Sequence, residues 1–142
     1  MQKNRENIMK RAVFLLWMAV MLCSLCGCSL IRIEEEERKP VSYTVIKKQE
    51  IPRELSNIIE EKKEKEFQIT YEKDEDLYLA KGYGRQMSGG YSIQVEELGA
   101  TENTLFFATK LIGPGDLKEA GVPSYPCVVI RTKAHRESVV FQ

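Results

Sequence analysis

The sequence has few of the side chains on which catalysis and metal binding depend. It contains one histidine, His135, and four cysteines, of which only Cys127 lies outside the N-terminal 28 residues. A Cys–His nucleophile pair needs both side chains in one accessible pocket. Cys127 instead stands in a β-branched stretch that predicts a buried, protonated thiol. One histidine and one cysteine do not supply the four ligands of a structural zinc site. We therefore predict a protein that is not an enzyme and has no metal or cofactor.

Long apolar runs are also missing. The longest runs from Ala12 to Leu25, 14 residues, whereas a helix needs roughly 20 apolar residues to span a bilayer. Four basic residues and one acid precede this run, and small residues close it. The order of basic, apolar and small segments is typical of a secretory signal. We assign the signal to residues 1–27.

The segment that ends the run is Leu25-Cys26-Gly27-Cys28, which resembles the lipobox of bacterial lipoprotein precursors. The resemblance implies that the Cys28 thiol carries a diacylglyceryl lipid and that cleavage falls between Gly27 and Cys28. Gly27 is then the small residue before the cut. The expected location is the extracytoplasmic face of the cell membrane, held through the lipid on Cys28. The alternative is an uncleaved signal-anchor helix in which Cys28 is an ordinary buried thiol.

Cleavage changes both the cysteine count and the charge. Lipidation would use Cys28, so Cys127 would be the only remaining thiol and no intrachain disulfide could form. The full chain has 21 basic and 21 acidic residues, whereas residues 28–142 keep 17 basic and 20 acidic ones, a net charge of −3. A nucleic-acid-binding protein shows a clustered basic face, so we expect no nucleic-acid partner. No small-molecule ligand is evident.

Two regions follow Cys28. Residues 28–40 carry four consecutive glutamates and end in Arg38-Lys39-Pro40, which predicts a solvated tether because such a segment buries too little apolar surface to offset its ordering. Residues 41–142 are predicted to form one small β-rich domain. Pro52 opens a helical pattern in which Leu55, Ile58 and Ile59 form one apolar face.

The rest of the domain alternates between apolar and polar residues in short segments separated by glycine- and proline-bearing turns. This pattern predicts an antiparallel β-sandwich or barrel-like sheet with one helix on its N-terminal side. The predicted strands cover residues 41–46, 67–71, 77–80, 91–95, 104–111, 126–131 and 138–141.

An ordered set of glycine and proline motifs lies between and at the ends of the predicted strands. The set is Gly82-Tyr83-Gly84, Gly89-Gly90-Tyr91-Ser92-Ile93, Gly113-Pro114-Gly115 and Tyr125-Pro126 before Val128-Val129-Ile130. Together these motifs resemble the C-terminal domain of the protease complex subunit PrcB family over residues 77–132. The resemblance implies a non-catalytic lipoprotein partner of a secreted or surface protease.

The glycine pair allows two interpretations. A glycine pair before a strand predicts positive φ at Gly89 or Gly90, and the turn is then required only for folding. Alternatively, the segment is a loop that presents residues to a partner protein. The predicted loop site consists of Gly84, Arg85, Met87, Gly89, Gly90 and Tyr91.

Two functions of different classes fit these observations. The first is a membrane-anchored binding or accessory module for a secreted or surface protease. The second is a structural envelope lipoprotein, or an inhibitor-like β domain whose loops fill a protease cleft. They differ in whether deletion of the protein changes proteolysis, and in which direction.

Overall fold

The computed structural model describes residues 2–23, 37–116 and 120–142. The chain forms two compact units, Met1–Glu35 and Glu36–Gln142. Gly27 and Cys28 of the predicted lipidation site lie outside the described residues.

The first unit contains one helix, α1 (Gln2–Cys23), in its described part. The helix includes the basic segment and most of the apolar run, and its side chains from residue 2 to residue 21 are exposed. Neither described helix combines the length and the apolar character that crossing a membrane requires.

The second unit is mostly β. Within residues 37–116 and 120–142 it forms two four-stranded sheets and a two-stranded ribbon. Its elements are β1 (Lys39–Pro40), β2 (Thr44–Val45), α2 (Arg53–Lys62), β3 (Glu66–Lys73), β4 (Asp76–Tyr83), β5 (Gln86–Ser88), β6 (Ser92–Ala100), β7 (Thr104–Ile112), β8 (Ala120–Ser124), β9 (Cys127–Thr132) and β10 (Ser138–Phe141). The first sheet has the order β1-β6-β7-β10, the second has the order β2-β9-β4-β3, and the ribbon pairs β5 with β8.

The predicted sandwich-like β architecture is confirmed, with one exception to its antiparallel pairing. Strand β10 runs parallel to β7, with Ser138 opposite Thr104. The chain reaches β10 from β9, which lies in the other sheet. A strand that arrives from another sheet is not bound by the antiparallel direction that a tight hairpin imposes.

The two central strands of the second sheet, β4 and β9, are buried on both faces over most of their length. Alternate residues of β4 and β9 face the first sheet, where Leu79 and Ile130 pack with Phe107. The residues between them face α2, where Tyr78 and Val129 join a second apolar cluster. Because successive strand residues point to opposite faces, a strand buried on both sides reads as a continuous apolar run.

Helix α2 covers the outer face of the second sheet and confirms the predicted helix. Pro52 precedes its first residue. Leu55 and Ile59, one turn apart, are buried in the cluster beneath it, and Ile58 packs against the same cluster. Full burial of a leucine stabilises the fold by roughly 1.5–3 kcal/mol.

The segment before α2 differs from the prediction. Lys39 and Pro40, placed in the tether by the sequence, pair with β6 of the first sheet. The predicted strand 41–46 is reduced to β2, which pairs with β9 of the second sheet. The physical reason is that this segment passes from one sheet to the other: Val41 N–H donates to Leu98 O and Ile46 N–H donates to Val129 O, each at 2.8 Å.

Candidate functional site

The ribbon occupies the region of the predicted loop site. Strand β5 lies in the connection from β4 to β6, and β8 lies in the connection from β7 to β9. Gln86 is opposite Ser124 and Ser88 is opposite Ala120, with a register shift between the two pairs. Ser124 Oγ donates a hydrogen bond to Ser88 O at 2.6 Å. Part of the predicted loop is therefore a strand, because its backbone finds a partner more than 30 residues away.

Two large apolar side chains are exposed on the ribbon. Met87 is 72% exposed and Val122 is 60% exposed. Both lie inside the register shift, between the paired residues at its two ends. Arg85, just before β5, is exposed as well. Single exposed apolar residues are common on protein surfaces, but here two of them lie on the paired strands of one short ribbon.

Gly84 allows the chain to enter the ribbon. Its φ is +73°, a conformation that other residues adopt at a cost. A Cβ on Gly84 would lie 3.0 Å from the Glu66 backbone nitrogen. Next to it, Arg85 N–H donates to Glu64 O at 3.2 Å. The start of the ribbon therefore lies directly against the backbone of the turn between α2 and β3.

The glycine pair forms the other end of β5. Gly90 has a φ of +82°, which confirms the positive φ predicted for this pair, and Gly89 is buried. A Cβ on Gly90 would lie 2.8 Å from the Pro114 Cβ. The half-buried Tyr91 ring lies beside Gly113. The structure thus brings two separate motifs of the sequence into contact.

The six predicted site residues divide into two groups. Gly84, Gly89 and Gly90 shape the backbone, and Tyr91 packs on the neighbouring loop. Arg85 and Met87 are exposed. Val122 was missed, because Ala120-Gly121-Val122-Pro123 contains a proline and a glycine and does not resemble a strand.

A polar cluster that the sequence analysis also missed lies where the ribbon leaves the second sheet. Lys81 is 5% exposed; its ammonium group forms an ion pair with Glu66 and lies 5.1 Å from the centre of the Tyr83 ring. Tyr83 Oη is 2.6 Å from Thr109 Oγ1 of the first sheet. The cluster thus links the two sheets. The buried ammonium charge of Lys81 is tolerated because it is paired with the Glu66 carboxylate. The sequence did contain a sign of this cluster. Lys81 is two residues after Leu79, so both side chains lie on the same face of β4, and a lysine on an apolar strand face indicates a buried charge with a partner.

Cys127 corrects a prediction, because the residue is exposed rather than buried in the core. It begins β9 at a point that β2 does not reach, since β2 pairs only with Ile130 and Arg131. The thiol contributes to a cleft of about 370 Å³ between α2 and the β2–β9 edge. Partial burial of the thiol raises the pKa of Cys127 to about 11, so the group is protonated at neutral pH.

His135 lies elsewhere. Its Nε2 donates to Glu75 O at 2.9 Å, at the turn between β3 and β4, and it does not line the Cys127 cleft. The structure therefore does not bring the two residues together as a nucleophile pair. Among the described residues, no cluster of three or more His, Cys, Asp or Glu side chains could hold a metal ion.

Residues 77–133 match the family model described as PrcB C-terminal. The match runs from β4 to the residue after β9 and includes both strands of the ribbon. It confirms the resemblance predicted from the glycine and proline motifs. No curated protein matches the chain, and no solved structure matches it.

The first prediction concerns Gly90. We expect Gly90→Ala to lower the free energy of unfolding by about 1–3 kcal/mol, because alanine resists positive φ and its Cβ would meet Pro114. Gly115→Ala is the matched control, because nothing lies within 4 Å of a Cβ there. Urea denaturation measures both variants. Equal stability of the two would show that the conformation of Gly90 imposes no constraint.

The second prediction concerns Cys127 in a chain whose other three cysteines are serine. We expect native Cys127 to react with iodoacetamide on the order of 100-fold more slowly at pH 7 than in the denatured chain, because the thiolate is the reactive species. The rate should rise about tenfold per pH unit as the pH approaches the pKa. A slow rate that does not change with pH would instead indicate a core thiol that reacts only after opening.

Proposed function

We propose that this chain is a non-catalytic accessory module of a protease complex, held on the extracytoplasmic face of the cell membrane by a lipid on Cys28. The match of residues 77–133 to the PrcB C-terminal model supports an association with a protease complex. The lipobox-like segment before Ser29 supports the anchor. The ribbon is the surface that contacts the partner.

The exposed apolar pair on the ribbon carries this assignment. An isolated two-stranded ribbon is marginally stable in water, yet this one is held at its base by contacts of Gly84 and Gly90 with neighbouring turns. It presents Met87 and Val122 to solvent. Methionine adapts its shape to a partner and is enriched in protein interfaces. A braced ribbon with an apolar centre is suited to insertion into a groove on another protein.

The proposed anchor also limits where the domain can lie. The Arg38 guanidinium lies 3.8 Å from the centre of the Phe106 ring and donates to Gln142 Oε1 at 2.9 Å, so residue 38 is fixed to the first sheet. Nine residues, 29–37, lie between this point and Cys28, so ten residue-to-residue steps join the two. Fully extended, they span at most about 35 Å. The point at which the tether joins the domain would therefore lie within about 35 Å of the membrane surface.

The third prediction tests the ribbon. We expect the double variant Met87→Asp, Val122→Asp to recover at least tenfold less protease than the unchanged chain from detergent-solubilised membranes, because two carboxylates would be desolvated in the interface. Thermal melting should not change, since both side chains are exposed. Mass spectrometry of the captured proteins measures the recovery.

Val140→Asp is the control for this experiment. Val140 is an exposed valine, 38% accessible, on β10 of the first sheet. This variant should recover as much protease as the unchanged chain. Equal recovery by the ribbon variant would place the contact elsewhere on the molecule.

The fourth prediction tests the anchor. We expect Cys28→Ala to release the protein from the membrane fraction with its melting temperature unchanged, because two acyl chains provide stable anchoring and residue 28 precedes the β-rich unit, Glu36–Gln142. Cys127→Ala, the control, should stay in the membrane fraction. Retention of the Cys28→Ala protein after a salt wash would contradict the anchor.

A further inference from the structure

The cleft beside Cys127 contains an open sheet edge. Strand β9 pairs with β4 from Cys127 to Thr132, but on its other side β2 reaches only Ile130 and Arg131. One further contact, from Ile46 N–H to Val129 O, precedes the 3₁₀ turn Lys48–Glu50. Among the described residues no strand lies opposite Cys127 on this side.

The backbone of Cys127 faces that open edge. Alternate residues of a strand direct their N–H and C=O groups to alternate sides. Val129 O faces β2, whereas Pro126 O accepts a hydrogen bond from Tyr83 N–H of β4 at 3.0 Å. Cys127 is two residues before Val129, so its N–H and C=O point to the same side of β9 as those of Val129. On that side, at Cys127, lies the cleft. The N–H and C=O of Cys127 form a donor–acceptor pair at the spacing of an antiparallel ladder.

The walls around this edge are apolar. Val45, itself 55% exposed, lies on one side, and Ile59 of α2 lies on the other. The remaining apolar lining consists of Ile46, Ile51, Val128, Val129 and the ring of Tyr125. The volume of about 370 Å³ is within the range of small ligand sites.

The charged groups at the rim have an excess of positive charge. Lys63 Nζ lies 2.8 Å from Glu60 Oε2, and Lys48 Nζ lies 3.9 Å from Glu60 Oε1. These three are the charged residues that line the cleft. Two ammonium groups share one carboxylate, so a carboxylate on a ligand would complement the rim.

We propose that the cleft binds an extended peptide segment of a partner protein, which adds to β9 beside Cys127, buries apolar side chains against Val45 and Ile59 and presents a carboxylate to Lys48 and Lys63. An acyl chain would fill the apolar volume but would leave the backbone donor and acceptor of Cys127 without partners. A peptide strand satisfies both, and pairing of main chains is an established mode of peptide recognition. The inference concerns a surface separate from the ribbon.

The experiment uses the full chain in detergent and a defined probe, an acetylated and amidated heptapeptide of alternating valine and threonine with one glutamate. Hydrogen exchange is followed residue by residue by NMR. We expect the free Cys127 amide to exchange faster than the Ile130 amide, and saturating peptide to slow the Cys127 amide at least tenfold. The same peptide N-methylated at every residue, which removes the donors of both edges, should give no protection.

Variants test the charged rim. Lys48→Glu combined with Lys63→Gln should weaken peptide binding at least tenfold, whereas Lys133→Glu should not weaken it, because Lys133 pairs with Asp76 outside the cleft. The ribbon variant Met87→Asp, Val122→Asp should bind the peptide normally, so failure of either proposal leaves the other standing.

Three results would overturn the inference. The first is a hydrogen-exchange rate of the Cys127 amide that is the same with and without the peptide. The second is equal protection by the N-methylated peptide, which would indicate simple filling of an apolar cavity. The third is protection that grows with protein concentration in the absence of peptide, which would identify a second copy of the chain as the occupant.

Discussion

The ladder between β4 and β9 is the interaction on which the rest of the domain depends. Six residue pairs, from Leu77–Thr132 to Gly82–Cys127, form this ladder, and its two faces support both apolar clusters. On one face the first sheet packs against Leu79 and Ile130, and on the other α2 packs against Ala80 and Val129. Loss of the ladder would therefore expose both clusters together. Because no disulfide joins the described residues, the apolar contacts of these two strands carry the stability that some small domains take from cross-links.

The glycines around this ladder decide where its neighbours can lie. Gly82 lies opposite Phe67 of β3, and a Cβ there would come within 2.1 Å of the Phe67 ring. The ring thus packs over the backbone of β4 instead of over a side chain. Gly84, two residues later, has positive φ and turns the chain into the ribbon. The Gly82-Tyr83-Gly84 motif is therefore explained by close packing at Gly82 and by the change of chain direction at Gly84. Between them, the Tyr83 hydroxyl forms a hydrogen bond with Thr109 of the first sheet.

Sequence patterns predicted the elements that are governed by nearby residues. The spacing of Leu55, Ile58 and Ile59 is enough to place α2, and alternation is enough to place β3 and the first part of β6, up to the register shift after Val95. Elements that depend on distant partners were not predictable in this way. Strand β8 forms because its backbone pairs with β5, and β2 is short because the chain passes between two sheets. Cys127 was predicted to be buried from its β-branched neighbours, but its exposure depends on where β2 ends. The positive φ of Gly90 was predicted because a backbone preference is local.

The ribbon and the cleft are joined through one short segment of chain. Strand β8 ends at Ser124, and β9 begins at Cys127, so only Tyr125 and Pro126 separate the two surfaces. Tyr125 contacts the Lys63 ammonium at the cleft rim, 4.9 Å from its ring centre, and Pro126 O is bonded to Tyr83 at the base of the ribbon. The base of the ribbon and the wall of the cleft therefore share this two-residue segment. One partner protein could therefore contact both proposed surfaces by lying across Tyr125 and Pro126.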